Sequence, residues 1–176
     1  MHASTEEEIQ QWAMTIDHLL RATDAGEIWL PLGVGSHTDH ELARNACLFA
    51  LSGLDGLERR ARVFLYQDVP YAGQFSGHTS AIVDALTAAG ASLEPRHDDI
   101  AASLRDKQRL VSVFASQFKA SYMAPRIEDA ARHASPSGEG HFELRFWLKS
   151  LPLPVDPLAV YSGRAAVHSL VPRVFS

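Results

Sequence analysis

Pro31-Leu32-Gly33-Val34-Gly35-Ser36-His37-Thr38-Asp39-His40 lies between a short apolar run, Ile28-Trp29-Leu30, and a segment with helical spacing, Glu41-Leu42-Ala43-Arg44-Asn45-Ala46-Cys47-Leu48-Phe49. The order is that of a strand turning into a helix, with two histidines and a carboxylate at the turn. Gly33 and Gly35 permit tight or positive-φ backbone there. Thr38 and Glu41 have the spacing of a capping box, which predicts a helix that starts inside the stretch. Side chains at such a strand end face the crevice in which open α/β sheets bind ligands.

Outward from this junction, the pattern alternates between helices and strands. Residues 4–23 form a helix by spacing: Ile9, Trp12, Ala13, Ile16, Leu19 and Leu20 mark one buried face. Ser4 or Thr5 caps it, and Glu6, Glu7 and Glu8 complement the positive end of its dipole. Residues 62–67, rich in β-branched and aromatic types, predict the next strand. A loop over 73–77, a helix over 80–89 and a weak extended piece over 91–95 follow, and Pro95 places that piece at a sheet edge. Asp98 or Asp99 is expected to cap a long helix reaching Phe118. A shorter helix over 122–133 is expected to break at Pro125. Residues 142–148 alternate as a strand, and the Pro-containing tail from about 150 is expected to be irregular. Helices alternating with strands imply an α/β layer protein whose sheet is small for its helices.

The chain has 176 residues, enough for one domain with a real core. Its formal net charge of -5 argues against a general nucleic-acid or anionic-membrane surface. The single cysteine, Cys47, excludes an internal disulfide and a cysteine-based zinc cage, and its place on an apolar helix face predicts a buried, inert thiol. Met1 to Glu8 has neither the basic nor the apolar region of a signal peptide, and no run approaches the length of a membrane span, so a cytoplasmic protein is expected.

His37, Asp39 and His40 carry the densest chemistry. Neutral imidazole nitrogens ligate metals, and a ligating histidine is usually oriented by a carboxylate, a role that Asp39 could fill. A protonated His37 could stabilise a developing oxyanion. Equally, His37 could be a loop residue and Asp39 a helix cap. Elsewhere the signals are weaker. His78-Thr79-Ser80 reads best as a plain cap, and Ser36, Ser76 and Ser80 lack a nucleophile-elbow setting. Gly33-Val34-Gly35 is too short for a dinucleotide fingerprint. Trp12, Trp29 and Trp147 read as core or interface residues. His133, His141 and His168 show no ligand spacing.

The stretch from Pro31 to His40, followed by Val63-Phe64-Leu65-Tyr66-Gln67-Asp68-Val69-Pro70-Tyr71-Ala72, resembles a block of the PIG-L/LmbE-like family, zinc-dependent N-deacetylases with a Rossmann-like fold. Ser116-Gln117-Phe118 and Glu143-Leu144-Arg145-Phe146-Trp147 are similar to the end of that domain, so the likeness runs from about Ile28 to Trp147. The resemblance implies a single domain over 1–176, with a small, mainly parallel sheet that is N-terminally incomplete. It implies His40 as a zinc ligand, His37 as the oxyanion partner and Asp39 as the carboxylate supporting both. Tyr66, Asp68 and Tyr71 match a segment lining the substrate cleft. Gln67 departs from the glutamate usual in the family.

The family's opening His-x-Asp-Asp motif, which supplies two further ligands and the general base, has no counterpart here. Arg96-His97-Asp98-Asp99 matches it only superficially, with spacing wrong by one. The resemblance is therefore to the C-terminal portion of a deacetylase domain, with an incomplete zinc site. Its implied partners are a small N-acetylated substrate and either a second copy of the chain or a second chain supplying the N-terminal half. The alternative is a non-catalytic remnant that serves as a binding or assembly module.

Overall fold

The computed structural model describes residues 5–53, 61–114, 116 and 119–151. Helix α1 (Glu6–Ala22) is capped by Thr5 in a capping box with Glu8, and its first turn carries Glu6, Glu7 and Glu8. Strand β1 (Glu27–Pro31) leads through the glycine loop into α2 (Thr38–Ser52). Strand β2 (Arg62–Tyr66) is followed by a single-turn helix, α3 (Tyr71–Gln74), and by α4 (Ser76–Ala88). Then come β3 (Ser92–Asp99), α5 (Leu104–Leu110) with a 3-10 turn over Val111–Phe114, α6 (Ala120–His133) and β4 (Phe142–Ser150).

The described strands form one four-stranded sheet in the order β1-β2-β4-β3. The mainly parallel pairing expected from the sequence is corrected here. β1 and β2 pair in parallel, with Trp29 opposite Phe64 and Pro31 opposite Tyr66. β4 enters between β2 and β3 and runs antiparallel to both. Three strands thus share a direction and β4 opposes them. β3 does not adjoin β2, which leaves a slot that the last strand fills on its return from α6.

The register sorts side chains onto two unlike faces. Leu30, Val63, Leu65, Phe146 and Leu148 lie on one face and form the main core with Cys47, Leu48 and Leu51 of α2, Leu86 of α4 and Ala130 of α6. The other face carries Trp29, Phe64, Tyr66, Arg145 and Trp147. Phe64 is buried there beneath the Trp29 ring, 4.9 Å away, and the Arg145 guanidinium, 4.7 Å away. Of the tryptophans expected to be core or interface residues, Trp12 and Trp29 are half exposed and so lie outside the core. Among the described residues no helix is long and apolar enough to cross a membrane.

Other departures have local causes. The long helix expected after Asp98 starts only at Leu104. β4 is long enough to pair with β3 as far as Asp99 opposite Phe142, and Ile100 N–H donates to the His141 carbonyl. The ladder therefore claims the backbone that helix caps would need. Pro125 does not break α6, because it lies on the exposed side while Met123, Ile127, Ala130 and Ala131 hold the helix by its buried stripe. The expected loop over 73–77 is helical on both sides of Phe75, which separates α3 from α4. Pro95 sits on an edge strand, as its missing N–H requires. Gln117, Phe118, His168 and nearly all of the expected irregular tail lie outside the described residues.

Candidate functional site

The site is assembled at the carboxyl ends of the two parallel strands. Past Pro31, Leu32 N–H donates to the Tyr66 carbonyl at 2.8 Å and prolongs the ladder by one bond. The chain then doubles back through Gly33 (φ 85°), Gly35 (φ 89°) and Ser36 (φ 56°) before α2 begins. Side chains at the two glycines would be strained by φ and by space. A Cβ on Gly33 would lie 2.8 Å from Arg44 Nη1, and one on Gly35 would lie 3.0 Å from Tyr71 Cβ. Buried Arg44 braces the loop from below by donating to the Leu32 carbonyl at 2.5 Å. The helix is not capped as expected: His37 is the N-cap residue and makes no side-chain cap bond, and Glu41 is buried.

Asp68 organises the loop. It follows β2 by two residues, and its side chain is only 1% exposed. Its Oδ2 accepts hydrogen bonds from Gly33 N–H at 2.7 Å and Val34 N–H at 2.9 Å. Its Oδ1 lies 2.6 Å from His40 Nδ1. A carboxylate at that distance accepts a hydrogen bond from Nδ1–H, which leaves Nε2 as the nitrogen that can take a ligand when the ring is neutral. Asp39, the residue expected to orient His40, instead projects into solvent with 85% exposure, and its carboxylate is 3.9 Å from His37 Nδ1. Asp68 was expected to line the substrate cleft. The structure places it beneath the loop, where it is buried and accepts from the protein's own loop and from His40. The signal was present in the sequence as a carboxylate at the end of the strand parallel to β1, but which histidine it reaches depends on strand pairing.

His37, His40 and Tyr71 cluster above this support. The two imidazoles are 5.0 Å apart between ring centroids, and Tyr71 stands edge-on to His40 at 6.2 Å. Burial, and secondarily the Asp68 charge, pushes the Tyr71 phenol above its ordinary value, and the same two causes raise Tyr66. Both hydroxyls are therefore donors at neutral pH. Tyr66 lies across the strand on the other face of the sheet, away from the histidines. Gln67 donates to Thr79 at 2.9 Å.

A catalytic zinc generally takes three protein ligands. Among the described residues no three His, Cys, Asp or Glu side chains converge as a metal-holding group. The described residues therefore do not fit a complete zinc centre. Arg96-His97-Asp98-Asp99 offers no substitute. It lies in β3, where Asp98 pairs with Arg145 and His97 Nδ1 is 2.6 Å from the Ala134 carbonyl.

The architecture has counterparts among solved structures. The fold is shared with antibiotic deacetylases. The zinc-inhibited form of teicoplanin deacetylase Orf2 superposes with a TM-score of 0.58 at 22% identity, over 80% of this chain and 51% of that one. A deacetylase–teicoplanin complex gives 0.61 at 22% identity, over 86% and 56%. The A40926 pseudoaglycone deacetylase Dbv21 gives 0.52 at 20% identity, over 81% and 56%. The chain thus spans about half the length of the deacetylases it matches. No protein-family model and no curated protein matches the sequence.

Proposed function

We propose that this chain is the C-terminal part of a PIG-L/LmbE-like N-deacetylase domain, serving the hydrolysis of an N-acetyl group on an amino sugar or a related small molecule. The observation that carries the reading is the His40–Asp68 pair. A histidine whose Nδ1 is held by a buried carboxylate has the arrangement usual for a metal-ligating imidazole, with Nε2 as the ligating atom. Deacetylases of the same fold, one of them in a zinc-inhibited form, support it.

In this reading His40 contributes one ligand, His37 faces the acetyl carbonyl oxygen, and the Tyr71 hydroxyl supplies a further donor beside them. No step is routed through a metal, because the residues of this chain do not complete its site. The remaining ligands and the base belong to polypeptide beyond the described residues. Among the described residues β1 is an outer strand of the sheet, next to the glycine loop, and a strand added there would bring them close to His40. A Rossmann-like completion of the sheet follows from the same proposal.

The test is complementation. The chain should bind zinc weakly by itself and leave N-acetylglucosaminyl substrates unhydrolysed. Joined or mixed with a family N-terminal half bearing His-x-Asp-Asp, it should bind zinc firmly and release acetate, and His40→Ala should abolish both. A completed protein with neither zinc nor acetate release overturns the reading. The place of β1 at the end of the strand order among the described residues also favours a second reading, an assembly module. A stable complex that lacks both properties would identify it.

A further inference from the structure

The sheet face opposite the main core holds a cleft of about 210 Å³ at the carboxyl end of β2. Tyr66, Gln67 and Val69 line it, whereas Asp68, between them, turns to His40. The cleft and the histidine cluster therefore share one short segment but open to different sides. Trp29 and Tyr66 give it two aromatic walls, 45% and 38% exposed.

Its charged groups are matched in pairs. Arg145 Nη2 donates to Asp98 Oδ1 at 2.9 Å, and Arg145 Nε lies 2.7 Å from Asp98 Oδ2. The Arg145 guanidinium also lies over the Trp29 ring, 4.8 Å from its centroid. Lys107, from α5, is paired with Glu143. Two cations against two carboxylates leave no net charge to draw an ion. What remains is apolar ring surface beside planar, bidentate hydrogen-bonding groups. A sugar ring has matching chemistry, with a C–H face for the aromatic wall and hydroxyls at its edge for carboxylate and guanidinium. The volume lies below the roughly 300–1,000 Å³ of pockets for larger ligands, so it suits one ring rather than an extended chain.

We infer that the cleft between Trp29, Tyr66, Glu143 and Arg145 is a binding site for a single neutral sugar ring. The site contains neither histidine, so it goes beyond the deacetylase reading and does not rest on it.

The experiment uses the chain as it is, with methyl β-glucopyranoside, which has no N-acetyl group, and sodium sulfate as probes, observed by saturation-transfer NMR. The glycoside should bind, with affinity on the order of millimolar, and sulfate should not compete. Trp29→Ala and Tyr66→Ala should each weaken glycoside binding by about tenfold or more, while His40→Ala should keep it. Tyr66→Ala decides alone if Trp29→Ala fails to fold. Absence of glycoside signal, competition by sulfate, retention in the folded aromatic variants or loss in His40→Ala would each overturn the assignment.

Discussion

Asp68 meets three donors while almost wholly withdrawn from water, so both its oxygens are committed. An asparagine there keeps the shape but turns an NH₂ group toward one of those donors. Leaving a buried donor without an acceptor costs about 1–3 kcal/mol. Asp68→Asn should lower stability by that order in urea titration, and imidazole ¹⁵N shifts should show His40 losing its fixed Nδ1–H tautomer. Unchanged stability together with an unchanged tautomer would remove Asp68 from its positioning role. Cys47 gives a second residue-scale expectation. Desolvation in the main core pushes its thiol from 9.0 up to about 12. The folded thiol stays protonated after the unfolded one ionises, so the folded state holds the extra proton in that interval. Stability is therefore retained below pH about 9 and declines as pH rises toward 12, by up to roughly 1.4 kcal/mol per unit. Cys47→Ala should flatten that decline in denaturation midpoints taken from pH 8 to 11, and an equal slope in both proteins would discard the account.

At the level of elements, much was legible where one periodicity ran undisturbed. The stripe Ile9, Ala13, Ile16 with a Ser4 or Thr5 cap in front defines α1 without help from tertiary structure, and Thr5 is the cap, joined to Glu8 in a box that the sequence reading did not single out. The strand-to-helix reading of residues 28–49 holds for the same reason: apolar run, glycine turn, helical spacing. Legibility failed where two elements compete for one backbone. Asp98 and Asp99 have the chemistry of caps, yet β4 extends their strand, and a ladder partner distant in sequence is invisible to local spacing. Thr38 and Glu41 also have the right spacing for a box. Glu41 is buried beside the glycine loop instead, where packing outweighs the gain of a surface cap. The candidate site divides in the same way. His37 and His40 are legible because four residues of one helix start contain them. Their support by Asp68 is not, because it arises from the parallel pairing of β1 with β2 across 28 residues between His40 and Asp68.

Across the whole molecule the apolar contacts fall into unequal units, and this ranks the parts by how readily they open. The main cluster ties three strands of the sheet to α2, α4 and α6, with Leu65 of β2 fully buried at its centre. A separate cluster of Ile9, Ala13, Ala46 and Ala50 holds α1 to α2, and three of its four members are alanines. Alanine contributes little apolar area, so α1 docks chiefly through Ile9, with partly buried Ile16, Leu42 and Phe49 around it and Leu20 reaching the main cluster, and only Ile9 and Ala13 of its residues are buried. Local opening free energies follow such differences in buried apolar contact. Amide hydrogen exchange should therefore find α1 the least protected long helix among the described residues, and β2 exchanging only by global unfolding. Ile9→Ala should speed exchange throughout α1 while leaving β2 nearly unchanged. Leu65→Ala should lower global stability by about 2–5 kcal/mol and bring β2 down with it. Uniform acceleration of both elements by Ile9→Ala would mean that α1 and the sheet open as one unit, and the division into unequal clusters would then carry no energetic meaning.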